Sequence, residues 1–172
     1  MREIARGAGV TAMLVNRYFG SKVKLFEEAV VETMATTAVV MPEILKAPAS
    51  GKAIAAALVS ITKTGATPLA GFQIMLRSAS SEVAVAIGRE QIEKFHHKKI
   101  AGALRGEMAA QRADVLLSLI AGFQLMRQMI GLRSLSRAEP DALVEILAPL
   151  FQMLVDGDGP TRSKQAPRRR RT

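Results

Sequence analysis

Cysteine and tryptophan are missing from the 172 residues, and the chain has only one tyrosine and six phenylalanines. Without cysteine there is no disulfide framework, no thiolate nucleophile and no thiolate metal site, which fits a reducing cytoplasm. With so few aromatics, the 49% of residues that are apolar are mostly Ala, Leu, Ile and Met, a palette that favours helix packing over sheet. Long apolar runs are also lacking. The longest uncharged stretch, 64–76, is 13 residues and contains Gly65, Pro68 and Gly71, whereas a bilayer crossing needs about 20. Met1-Arg2-Glu3 leads into no signal-peptide block. There is no Ser-His-acid spacing, phosphate-cradling glycine loop or His-Glu-x-x-His, so no enzymatic site, cofactor or metal is expected. Glu93 and His97 stand at i and i+4 without a third ligand, and His96 and His97 are expected to be a solvent-exposed pair. The expectation is a soluble, cytoplasmic, all-α protein with no membrane partner.

Acidic residues are in short supply as well, 15 against 24 basic ones, for a net charge of +9. The excess sits at the ends. Arg2, Arg6, Arg17, Lys22 and Lys24 face only Glu3 in the first 24 residues; Arg162, Lys164 and Arg168–Arg171 face Asp156 and Asp158 in the last 17. Such a distribution points to a polyanionic partner. The segment from 156 onward, dominated by Gly, Pro and Arg, reads as a disordered basic tail. Cations on a flexible tail are expected to add affinity for nucleic acid and no base specificity.

The pattern between these ends is helical. Ile4, Ala5 and Ala8 give a short helix one apolar side, Gly9 supplies a left-handed turn, and Val10 plugs the angle. Thr11 is placed to N-cap a second short helix. On it Val15 and Phe19 share one face, Met13, Asn16 and Arg17 point the other way, and Leu14 lies on the flank. This is a helix-turn-helix whose outer face can enter a major groove. Asn16 suits adenine, Arg17 suits guanine or a phosphate, and Met13 and Leu14 suit thymine methyls. Thr11, Tyr18 and Lys22 stand at the ends of the recognition helix, within reach of phosphates.

Further along, apolar spacing predicts helices over 22–45, 52–64, 69–78, 81–104, 115–132 and 140–154. Pro140 suits the first helical position, and Pro149 should kink the last helix. Arg77 is the only charge between Lys63 and Glu82, so it is expected to pair with a carboxylate such as Glu82 or to face a ligand. The helices over 115–132 and 140–154 are apolar on more than one face, and the second face is expected to meet another copy of the chain. The dimer contacts expected there are Leu116, Ile120, Phe123, Leu143, Leu147, Leu150, Phe151 and Leu154.

The run Ile4-Ala5-x-x-Ala8-Gly9-Val10-Thr11, followed by Tyr18-Phe19-Gly20-Ser21-Lys22 and Leu25-Phe26, resembles the DNA-binding motif of the tetracycline-repressor (TetR/AcrR) family. The resemblance implies a homodimer that binds double-stranded DNA through Thr11, Ala12, Met13, Leu14, Asn16, Arg17, Tyr18 and Lys22. It also implies a helical body that holds a small apolar effector, here expected near Met34, Phe72, Met75, Arg77, Phe95, Phe123 and Met126. The corresponding domains are a head with its connecting helix (1–45), an effector-binding and dimerisation body (46–155) and the tail (156–172). The chain departs from the family at Met13-Leu14, where a Gly-Thr pair is common, and at Asn16, where a Tyr is common. The family also carries one more helix before the position of Arg2. The head is therefore expected to be truncated and loosely held, with weak specific binding. The function expected is a ligand-responsive transcriptional regulator of the repressor type. The alternative is a non-enzymatic helical dimerisation protein whose head no longer reads specific DNA.

Overall fold

The computed structural model describes residues 1–35, 42–63, 65–66 and 70–157, with the side chains of Met34, Ala35 and Pro42 excepted. The basic tail from 158 onward lies outside the described residues. Among the described residues there is no strand, and the expected all-α class holds. The helices are α1 (Arg2–Gly7), α2 (Ala12–Phe19), α3 (Lys22–Ala35), α4 (Pro42–Leu45), α5 (Ser50–Ile61), α6 (Ala70–Arg77), α7 (Glu82–Ile92), α8 (Lys98–Ala103), α9 (Ala109–Gln124), α10 (Arg133–Arg137) and α11 (Pro140–Asp156). One π-helical turn, Glu93–His97, joins α7 to α8, and another, Leu125–Met129, continues α9.

The body is built around the packing of α5 against α11. Gly51, Ile54, Ala55, Leu58 and Thr62 recur at helical spacing and are buried, as are Leu143, Leu147, Phe151 and Leu154 on the facing helix. Gly51 lets the two backbones approach closely: a methyl group there would overlap the Ala148 carbonyl oxygen and lie 2.6 Å from the Gln152 nitrogen. Both ends of α5 are closed by side chains from elsewhere. At its start Gln152 Oε1 accepts the Gly51 N–H at 2.8 Å. At its end Arg127 Nη1 donates to the Val59 carbonyl at 2.8 Å and to Thr62 Oγ1 at 3.0 Å. These bonds satisfy groups that a helix leaves unpaired at its termini, and a guanidinium also complements the negative end of the helix dipole.

Arg112 does the same for α11. It donates to the carbonyls of Leu154, Val155, Glu107 and Arg105, tying the 104–108 turn to the end of the last helix. Gly157 follows in the left-handed conformation at φ 80° and ends α11. The helix runs through Pro149 without a break. Proline removes the usual donor to the Glu145 carbonyl, and both residues are exposed. Of the helix expected over 22–45, α3 and α4 are described, and 36–41 lie outside the described residues. One boundary is corrected and one helix was not foreseen. The helix expected to begin at residue 115 begins at Ala109, six residues earlier, where Arg112 is anchored by its carbonyls. And α10 occupies a stretch in which the sequence shows no helical apolar spacing.

Candidate nucleic-acid interface

The head is held by local geometry. Gly9 sits at φ 67°. Around it Val10 N–H reaches the Ala5 carbonyl at 2.9 Å and Gly9 N–H reaches that of Arg6 at 3.2 Å, a Schellman closure of α1. Thr11 is in extended conformation and its Oγ1 accepts the Leu14 N–H at 3.2 Å, capping α2. The hydroxyl proton stays available for a phosphate oxygen. Gly20, at φ 72°, ends α2, and Ser21 Oγ caps the next helix by accepting the Lys24 N–H at 3.1 Å.

These turns orient α2 as the spacing predicts. Val15 is buried and Phe19 half-buried, while Met13 and Tyr18 are 79% and 77% exposed. Asn16, Arg17, Lys22 and Thr11 are exposed with them, and Leu14 is on the flank at 39%. Ala12 is half-buried. The structure thus gathers Thr11, Met13, Asn16, Arg17 and Tyr18 on the solvent side of one short helix that carries no acidic residue. Val10 does not fill the inter-helix angle as completely as expected, being 40% exposed.

In the body, the expected residues separate. Phe72, Met75, Phe95 and Phe123 are half-buried, and Met126 is exposed. Met75 packs its thioether into the space left by Gly88 of α7, which makes it a packing group between helices. Arg77 is exposed at the end of α6, with no ion pair to Glu82. The Met34 side chain is outside the described residues. A cavity of about 330 Å³ opens between Leu45–Ser50, Ala103–Arg105 and Val155–Asp156 and shares no residue with the expected effector set.

The residues expected at the dimer contact divide. Leu116 and Phe151 are wholly enclosed by their own subunit, and Ile120, Leu143, Leu147 and Leu154 are buried in the same core, whereas Leu150 faces outward and Phe123 is half-buried. What remains outward is a stripe of Ile146, Leu150 and Met153 on α11, and Val115, Met126 and Ile130 along α9 and its π turn. The spacing of the two faces was readable; which face turned inward was not.

Sequence reasoning missed Arg127 and Gln152. Arg127 continues the inner face of α9, which runs Ala113, Leu116, Ile120, Gln124, Arg127. That register was a legible signal, and its cation is 6% exposed. Burial holds its guanidinium below the usual arginine value.

The histidines are also corrected: both are half-buried. His97 Nε2 lies 3.2 Å from the Ala110 carbonyl and 3.6 Å from Asp114 Oδ1. Burial, and then the Lys99 ammonium, hold His96 below its ordinary value. A lowered folded value means that its stabilising contribution is complete above about pH 6.5 and is lost as pH falls through the folded value. Urea unfolding is expected to show a stability loss between about pH 7.5 and about pH 5.5 that His96→Gln reduces. An unchanged slope in the variant would exclude His96 as its source.

A short capped recognition helix on a separate, larger all-helical body defines the class of helix-turn-helix DNA-binding proteins. Residues 1–29 match the bacterial regulatory proteins, tetR family, and residues 49–155 match the tetracyclin repressor-like C-terminal domain. The chain belongs to this family and is a transcriptional regulator. Among solved structures it is similar to a TetR-family regulator from Streptomyces coelicolor A3, at 21% identity over 90% of this chain and 81% of that one, with a TM-score of 0.48. No curated protein matches the chain significantly. Regulators of this family bind DNA and dimerise. No described helix is long and apolar enough to cross a membrane.

Proposed function

We propose that the chain is a homodimeric, non-enzymatic repressor that leaves its operator when its body takes up a small effector. The observation that carries this reading is the outward face of α2. A capped helix with its inner residues pinned and Met13, Asn16, Arg17 and Tyr18 free is fit for a major groove. The link to the body is α3. It packs on α2 at one end and on α6 and α7 at the other, with Gly71 of α6 seated against Thr33. A ligand that favours one packing of α6 and α7 over another would shift α3, and with it the spacing of the two heads in a dimer.

The test is selection of bound sequences from random duplexes, followed by competition of the selected duplex against a scrambled one at fixed salt. The expected preference is well above one, even where the absolute affinity of the short head is weak. Arg17→Ala is expected to cost about 1–3 kcal/mol at the base pairs it reads, and Lys22→Ala to weaken all duplexes alike and flatten the salt dependence. A preference near one would instead favour a dimerisation protein whose head does not read sequence.

A further inference from the structure

The guanidinium of Arg127 is buried without a carboxylate. No acidic side chain among the described residues pairs with it. Its Nη1 is spent on closing α5, and Phe123 lies under it with the ring centre 5.8 Å from Cζ. The other edge is unused: Nε has no hydrogen-bond partner, and no hydrogen bond among the described residues uses Nη2. One turn earlier on the same inner face, Gln124 is 2% exposed and its Nε2 donor is also unpartnered. A buried donor left unmade carries a full desolvation penalty, and a buried charge without a counter-ion carries more. Arg127 Nε and Gln124 Nε2 are thus buried donors left unmade, and Gln91 Oε1 and Gln128 Oε1 are buried acceptors left unmade. The π-helical turn that places Arg127 is itself a departure from α geometry of the kind that recurs at functional sites.

The paired Nε and Nη2 donors of a guanidinium form a flat fork that fits the two oxygens of a carboxylate. A neutral hydroxyl or ester meets only one of them and brings no charge. We propose that Arg127, helped by Gln124, is the anchoring site for the carboxylate of an apolar monocarboxylic acid, and that this acid is the effector. This rests on the ligand-responsive reading above and narrows its ligand from an apolar molecule to an apolar anion. The charged end would satisfy the guanidinium edge while the chain lies among half-buried groups such as Phe123.

Titration calorimetry of the full chain with octanoate, methyl octanoate and 1-octanol tests this, because the three share an alkyl chain and differ in charge. Octanoate is expected to bind about tenfold or more tightly than either neutral probe, the difference of a charge-assisted fork against a single neutral bond. Arg127→Lys keeps a cation for the end of α5 but has no fork, and is expected to narrow the preference severalfold. Gln124→Leu is expected to move two readouts in opposite directions, raising the melting temperature by removing an unmade donor and weakening octanoate binding. A merely structural glutamine would not do both. Equal affinity for the three probes, or no binding of octanoate, overturns the anion site and leaves the ligand-responsive reading standing. A preference undiminished in Arg127→Lys also overturns the proposal. If that variant fails to fold, Gln124→Leu decides, and an octanoate affinity unchanged in it overturns the proposal.

Discussion

Replacing Gly51 by valine is expected to unfold the body, and even alanine is expected to cost about 3 kcal/mol. The opposing effects can be weighed. Alanine in place of glycine in a helix gains about 1 kcal/mol from propensity. Against this, the new methyl would overlap the Ala148 carbonyl oxygen and sit 2.6 Å from the Gln152 nitrogen and 2.7 Å from its Cβ. Two of these atoms are backbone, so no side-chain rotation relieves the contact. The helices α5 and α11 must separate, and the Gly51 bond to Gln152 goes with them. A chain of this size loses about 2–4 °C of melting temperature per kcal/mol, so Gly51→Ala should melt about 6–12 °C lower. Gly102→Ala is the control. It is exposed and nothing lies within 4 Å of the added carbon, so it should be neutral or stabilise by about 0.5–1 kcal/mol. Equal melting of the two variants would show that the close approach at Gly51 does not bear on stability.

An aspartate at Ile146 or Leu150 is expected to turn a dimer into a folded monomer. Ile146 is 64% exposed and Leu150 41%, so neither change disturbs the subunit's own core. Between two copies the same carboxylates would be buried without a partner, at a cost of several kcal/mol each, and a two-fold interface counts each substitution twice. Phe151→Asp makes the contrast, since that ring is 0% exposed within one subunit and the variant should lose its helical circular dichroism. Light scattering at micromolar concentration distinguishes the cases. A monomeric parent chain, or a dimer that survives Ile146→Asp, would move the interface away from this stripe. Loss of the dimer should also lower operator affinity by about a hundredfold or more, because two half-sites would no longer be read together.

The head was legible almost atom by atom. Thr11, Gly9, Gly20 and Ser21 act through bonds to residues at most five positions away, and such local rules can be read from a string of letters. The body was legible in its periodicity and opaque in its orientation. Both faces of α11 are apolar, and nothing in Leu143, Leu147 and Phe151 as letters marks them as inward while Ile146 and Leu150 face out. That choice is made by α5, which lies about a hundred positions away in the sequence. Arg77 and Arg127 show the same limit. Each interrupts an apolar helix, yet one ends α6 in solvent and the other is enclosed because Val59 and Thr62 offer it acceptors. The π turns left no compositional trace.

Consider when each part of the chain can become itself as it leaves the ribosome. The bonds that shape the head are complete once the first 24 residues are out. The start of α5 must wait for Gln152, 101 residues downstream of Gly51, and its end must wait for Arg127, 68 residues beyond Val59. Contacts that span so much chain form late. Until Arg127 emerges the central helix has neither terminus closed, and its start and the apolar faces of α5 and α9 stay open until the final helix arrives. A message or a variant that stalls synthesis before α11 would release a chain prone to aggregate, with its recognition turn already shaped.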